Sequence, residues 1–457
     1  MKRGGIILLA ATMSLVACSG TTTYVEELPE IYPDYIGVTV PVGIAPMDFN
    51  ISDEYDRVFV KVTGSKGGTL KVRGSYADFS VKKWHALTER NAGGFLTFTV
   101  LGRKDGEWTQ WRDFIMYVSD VPLEDYGITY RKLAPGYTTY SQMGIYQRNI
   151  HNFDEDPIIE STLTPGQCMG CHTANAANPS QFLFHLRGRH GATLIQQDGV
   201  REWVTTKTDS TIGNMAYSYW HPGGRWVAGS INPVRQSFWT GDKRTIEVFD
   251  LASDIVILDM KDHSLIVDPR FTTPEYFETT PVFTPDGKTL YFGRSEAHSV
   301  PKETELIRYG HSVTFPRPSY DGKWLMYNLA DFSIFPIDHE EADLWLMDLE
   351  SGETRPLDEV NSPLSESFHN WSSNSRWFLF SSRRDDGLYV QVYFSSIDSE
   401  GHCTKPFVLP QKNPRKYYRG TLFSFNVPDF TRDKVEFSTR NVYEEVFSDK
   451  RVQVSVK

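Results

Sequence analysis

The sequence predicts an all-β protein: a small immunoglobulin-like sandwich, then a segment carrying Cys-x-x-Cys-His, then a β-propeller of five to six blades. Three observations carry this. A turn motif recurs five times in the second half, apolar residues alternate with period two in the first, and an aromatic content of 14% is punctuated throughout by 34 Gly and 25 Pro. Aromatic residues favour strands, and Gly and Pro favour tight turns.

Residues 1–17 read as a secretory signal: Lys2 and Arg3, an apolar run over 6–16, then Leu15-Val16-Ala17-Cys18. The run is shorter than the roughly 20 apolar residues a retained transmembrane helix needs. Leu-Val-Ala-Cys resembles the bacterial lipoprotein box, which implies cleavage before Cys18 and acylation of that residue. Residues 18–35 are polar and Pro-punctuated, as in a short tether. Losing Lys2 and Arg3 takes the formal charge from -11 to -13 and leaves no basic block. That excludes nucleic acid and argues against anionic lipid surfaces as partners, so membrane contact is expected through the N-terminal lipid only. Ser19, Gly20 and Thr21 carry no acidic tag, which points to the periplasmic side of the outer membrane rather than the cell surface.

Residues 36–125 alternate as short strands do. Val58, Val60 and Val62 stand against Phe59 and Lys61, and Leu70 with Val72, then Phe114, Met116 and Val118, repeat the period. Several such strands in some ninety residues suggest the sandwich, although no Cys-Trp-Cys signature accompanies them. Such a module binds or spaces.

Residues 126–195 contain the sharpest chemical signal, Gln167-Cys168-Met169-Gly170-Cys171-His172. Two thiols three residues apart can reach the two vinyl groups of one porphyrin, and the adjoining imidazole can reach the iron. This predicts haem c on Cys168 and Cys171 with His172 as proximal ligand, in one or two helical turns between Pro165-Gly166 and Asn178-Pro179. Three other readings stay open: a local disulfide, a zinc site completed by His185 or His190, and a buried pair without chemistry. A sixth iron ligand would be His185, His190 or Met215, with His185 preferred for its apolar neighbours. Arg187 and Arg189 are candidates for the haem propionates, or for ordinary loop anchoring. The motif and the downstream Phe184-His185-Leu186-Arg187-Gly188, with Tyr32-Pro33-Asp34-Tyr35 near the N-terminus, resemble exported propeller proteins of Bacteroidota type. That resemblance implies a propeller and a haem motif but no settled activity.

Residues 196–457 hold the repeats. Trp220-His221-Pro222-Gly223-Gly224-Arg225-Trp226, Phe283-Thr284-Pro285-Asp286-Gly287-Lys288 and Pro318-Ser319-Tyr320-Asp321-Gly322-Lys323-Trp324 are three copies. Trp371-Ser372-Ser373-Asn374-Ser375-Arg376-Trp377 is a fourth, and the stretch from Val427-Pro428-Asp429 to Val435 a looser fifth. Pro presets φ, Asp or Asn caps the turn, and Gly takes the positive φ of a tight hairpin. Trp226, Tyr291, Trp324, Trp377 and Val435 should therefore occupy like strand positions. The pattern resembles the TolB-like, WD-repeat-like propeller, a fold that serves docking to proteins and glycans.

The expected function is thus an exported haem c propeller lipoprotein that carries electrons or senses a ligand and docks to an envelope protein. The alternative is a non-catalytic outer-membrane accessory protein whose propeller binds a protein or a glycan and whose Cys-x-x-Cys-His is structural. No catalytic set is assembled in the sequence. Asp154-Glu155-Asp156 and Asp338-His339-Glu340-Glu341 read as acidic surface loops, and Cys403 as a buried free thiol.

Overall fold

A computed structural model describes residues 21–134, 142–238, 246–297, 312–331, 335–448 and 450–457. The segment read as a signal, and Cys18, lie outside the described residues. The fold is all-β, and its second part is a propeller with five four-stranded blades.

The N-terminal strands do not build the expected sandwich. They form one seven-stranded sheet, in which Thr22–Tyr24, Glu107–Gln110, Gly94–Lys104, Arg57–Gly64 and Thr69–Gly74 lie side by side. Phe114–Val118 adds to the other half of the long strand Gly94–Lys104, and Thr39–Val40 pairs with it in turn. The alternation seen in the sequence is real, with Val58, Val60, Val62, Phe98 and Met116 all buried on one face. That face is closed by the helix Val81–Arg90, through Trp84 and Leu87, and by Tyr35 and Phe49 of the preceding chain. Period two fixes that one face is covered, not by what.

The described part of the expected tether is also built in. Thr22–Tyr24 pairs with Glu107–Gln110, and Tyr32 donates to Asp385 at 2.8 Å. Asn50 bonds Asn413 at 3.2 Å, and Lys405 bonds Asp34 at 2.7 Å. One apolar core runs from this sheet into the last two blades.

The propeller begins at Gly127 rather than near residue 196. Gly127–Leu133, Met143–Asn149 and Glu155–Glu160 are the outer strands of the first blade, and its innermost strand is Ser424–Thr431 from the far end of the chain. These early strands lack the Pro-Asp-Gly turn, so the repeat did not reveal them. The second blade runs Cys168–Asn175, Asn178–Arg187, Ala192–Gln197 and Val200–Thr205. The third runs Ala216–Trp220, Trp226–Ile231, Asp254–Asp259 and Ser264–Ile266. A two-stranded sheet, Tyr276–Phe283 with Leu290–Glu296, fills the next sector among the described residues. The fourth blade is Ser312–Pro318, Trp324–Ala330, Asp343–Asp348 and Thr354–Pro356, and the fifth is Glu366–Trp371, Trp377–Ser382, Gln391–Ser396 and Phe407–Val408. Strands Val452–Gln453 and Ser455–Val456 add to the outer edges of the second and third blades.

Four motif copies occupy equivalent turns between an inner strand and its neighbour. In each, the first turn residue bonds back across the turn: His221 to Trp226, Thr284 to Thr289, Ser319 to Trp324 and Ser372 to Trp377, all at 2.8–2.9 Å. The fourth turn residue takes the left-handed conformation, Gly224, Gly287 and Gly322 at φ of 71–73° and Ser375 at 59°. Trp226, Trp324 and Trp377 then open the second strands, as expected, while Tyr291 stands second in Leu290–Glu296, two residues past the equivalent position, which Thr289 takes. The fifth copy is corrected. Pro428 and Asp429 lie within the closing strand, and Val435 is buried on non-strand backbone that exchanges two hydrogen bonds with Gln147. The chain's next strand here was already supplied by Gly127–Leu133.

Candidate functional site

Every inner strand carries the same irregularity. Cys171, Tyr217, Thr280, Phe315, Phe368 and Val427 all have φ between 46° and 52°, and the ladder to the second strand slips at each of these points. Left-handed backbone is unfavourable for such side chains, so six copies of it are a property of the ring. Five of the bulges, all but Val427 on the closing strand, lie four residues before the first residue of the following turn, for example Cys171 before Asn175 and Phe368 before Ser372.

This placement revises the reading of the haem motif. Cys168–Asn175 is a strand with Cys171 at its bulge, where helical turns were expected. His172 takes the position that Ser218, Pro281, Pro316, His369 and Pro428 take in the other sectors.

The bulges surround a cavity of about 1050 Å³ on the ring axis. Cys168, Cys171, His172, His185, Arg131 and Arg187 share one side of it, and Phe315, Phe335 and Phe368 line another. Cys168 and Cys171 are half-buried and not joined in a disulfide; Cys168 Sγ faces Met169 O at 4.0 Å and Cys171 bonds the Arg187 guanidinium. His185, on the second strand opposite Gly170, is buried with Nδ1 3.0 Å from Thr193 Oγ1. His172 is 2% exposed; neither ring nitrogen makes a hydrogen bond of good geometry, and the Thr129 backbone is its one close polar neighbour. Burial lowers both imidazoles to about 3, so both are neutral at ordinary pH, the form that ligates metals. Burial raises the Cys168 thiol, while Arg131 and Arg187 pull it down.

Arg187 lies 5.6 Å from the centre of the Tyr217 ring and beside Cys171, and Arg131 packs against Gly170. Neither guanidinium has a carboxylate partner among the described residues. By contrast Arg383 is paired with Asp338, and Arg317 donates to Pro316 O at 2.9 Å and stacks on Tyr219. At the floor Asp429 accepts from Thr173 Oγ1 at 3.1 Å, Ala174 N at 3.0 Å and Asn370 Nδ2 at 2.6 Å. Burial raises its carboxyl to about 6.

Three candidates from the sequence fall outside the lining. Arg189 is exposed, His190 packs edge-on against Phe447 at 4.9 Å, and Met215 is buried in the third-blade core against Gly229. Among the described residues no three His, Cys, Asp or Glu side chains are placed to hold a metal ion, so the zinc arrangement with His185 or His190 is not assembled. Sequence reasoning missed Arg131, Tyr217, His369 and Asp429. The constant spacing from bulge to turn could have found Tyr217 and His369, but not Asp429, whose strand has no following turn.

No protein-family model matches this chain, and no curated protein does. Among solved structures the chain is similar to prolyl oligopeptidase B from Galerina marginata, at 12% identity and a TM-score of 0.30 over 53% of this chain. The chain spans 38% of that protein's length. It is also similar to a DUF4784 family protein from Bacteroides caccae, at 8% identity and a TM-score of 0.21, over 84% of this chain and 85% of that one.

Proposed function

We propose that the axial cavity is a haem c site in an exported, lipid-anchored electron carrier or haem-based sensor that docks to an envelope partner. The observation that carries this reading is the wall on which Cys168 and Cys171 open together beside two guanidiniums without ion-pair partners and a buried imidazole held only loosely, by the Thr129 backbone. A porphyrin with two vinyl groups, two carboxylates and an iron matches that set. The residues fit: Cys168 and Cys171 would form the thioethers, His172 the proximal bond, and Arg131 with Arg187 would hold the propionates by charge-assisted hydrogen bonds. His185 stays the preferred distal ligand, because its Nδ1 is fixed by Thr193 and Nε2 is left for iron. Bound haem supplies a one-electron couple. The apolar side of the cavity, with Phe315, Phe335 and Phe368, excludes water from it.

A second reading is favoured by one observation, the equivalence of Cys171-His172 with Phe368-His369. His369 Nε2 lies 3.0 Å from Met326 O, a purely structural role between blades. If His172 does the same work, the motif is structural and the cavity takes an anionic small molecule or glycan on Arg131 and Arg187.

Haem staining of the denatured protein, after expression with a cytochrome c maturation system, separates the two. Covalent stain is expected, and it should vanish in Cys168→Ala with Cys171→Ala. Protein purified from its own envelope without covalent haem would overturn the haem reading, and ligand binding that depends on Arg131 and Arg187 but not on the cysteines would establish the second.

A further inference from the structure

The outer face of the N-terminal sheet, opposite its core, gathers residues far apart in sequence. Residues opposite one another in register share a face. Phe59 stands opposite Arg73, Lys61 opposite Lys71 and Thr99, Phe95 opposite Tyr117, Thr97 opposite Ile115, and Tyr24 opposite Gln110. Arg57 lies two residues before Phe59 on the same side. Arg57, Lys61, Lys71 and Arg73 form no ion pair among the described residues, while the neighbouring Arg103 and Lys104 are matched by Asp56 and Glu54. Beside this basic patch are exposed aromatic and aliphatic side chains: Tyr24 is 52% exposed, Tyr117 48%, and Phe95 and Ile115 38% each. In a chain of net charge -11 these four basic residues are a local reversal of sign, with Arg73 stacked 5.3 Å over the Trp108 ring and the carboxylates of Glu26 and Asp113 only at the far edge, beside Tyr24.

We infer that this face seats on an anionic phospholipid surface. Two arguments choose that occupant. Charge complementarity is the first, since unpaired Lys and Arg attract anionic headgroups while Tyr and Phe sit well at the polar–apolar boundary. The second is where the chain leads: Thr22–Tyr24 is an edge strand of this sheet, and Cys18 lies four residues before Thr22, a reach of roughly 14 Å at full extension. The inference rests on acylation at Cys18 for its placement, because a lipid held so close keeps this sheet at the headgroups. A single acyl chain binds only marginally, and a basic face is the kind of second signal that makes retention stable. Whole-chain charge had argued against anionic lipid; strand pairing assembles what no run of sequence shows.

The test uses the full mature-length chain from residue 18 with Cys18→Ser, so that no acyl chain contributes. Cosedimentation is measured with phosphatidylcholine vesicles and with vesicles containing roughly one-third phosphatidylglycerol. Binding to the anionic vesicles only is expected, weakening as salt rises, and about ten- to a hundredfold weaker in Lys71→Glu with Arg73→Glu. Lys82→Glu with Lys83→Glu makes the same charge change on the exposed side of the covering helix and should leave binding unchanged. Melting curves confirm that each variant folds. No binding to anionic vesicles, or equal loss in both variants, overturns the inference. So does retention on an anionic polysaccharide without vesicle binding, which would give the face to a glycan. Failure of the acylation reading shows separately, as a wild-type protein whose intact mass, after purification from its own envelope, carries no acyl chain at Cys18.

Discussion

Cys168–Asn175 and Glu366–Trp371 flank the closing strand Ser424–Thr431 and repeat one backbone. Each carries a bulge at φ near 50° followed by a buried His whose charge is suppressed by burial to about 3. Their side chains diverge. On the fifth blade Phe368 packs against Phe315 and Phe335, at ring separations of 5.1 and 5.7 Å, and His369 has its carbonyl partner. On the second blade a thiol replaces the aromatic ring, and the imidazole has only the Thr129 backbone beside it, without a bond of good geometry. Repetition sets the backbone, and chemistry enters where one copy gives up packing and hydrogen bonds that another keeps.

Asp429 ties the two strands together, so its removal is expected to do the most damage. Asp429→Ala breaks bonds to both neighbours and strands Asn370 Nδ2 and Ala174 N in the interior, which should cost about 3–4 kcal/mol in urea unfolding. A loss below about 1 kcal/mol would show the two strands to be independent. Next in size is the histidine pair. His369→Ala loses a buried side chain and its bond to Met326, expected at about 2–3 kcal/mol, whereas His172→Ala in haem-free protein loses packing and a weaker contact with the Thr129 backbone, at about 1–2 kcal/mol. Equal losses would make His172 a structural twin of His369 and favour the second functional reading.

The smallest effect is in pH. His172, His185 and His369 have folded pKa values near 3, so below pH 6.5 the unfolded chain takes up protons first and stability falls. Asp48, Asp250 and Asp429, raised by burial to about 8, 7 and 6, act oppositely: the folded chain binds protons first, and stability rises as pH drops through those values. A maximum in melting temperature near about pH 6 is expected for haem-free protein, and His172→Ala with His369→Ala should move it to lower pH. A maximum unmoved by that double change would mean the two imidazoles titrate normally in the fold.

The blades were legible wherever local chemistry repeats. The Pro-Asp-Gly turns name their own backbone, and four of the five copies stand in equivalent turns. Pairings set by distant residues were not legible. Nothing near Gly127 announces that its partner is Thr431, so the propeller's start was placed too late and the fifth copy was misaligned by the closure. Val58, Val60 and Val62 showed a covered face but not that Trp84 of a helix covers it. Cys168 to His172 could be read as thiols and imidazole at haem spacing, yet the strand and bulge that hold them follow from the ring. The outer basic face was invisible because Lys61, Lys71 and Arg73 meet only through pairing.

The closing strand also sets a clock. Gly127–Leu133 is made early, and its inner neighbour Ser424–Thr431 comes some three hundred residues later, about 15–60 s at ordinary synthesis rates. For that interval the first blade offers an open, unpaired edge that other chains can join, and no arrangement of nearer residues completes it. Long-range pairing of this kind is slow even when the whole chain is present. A cell making this protein must therefore keep one strand edge out of circulation until the last blade is finished, and yield should depend on holdase chaperones more steeply than native stability would suggest.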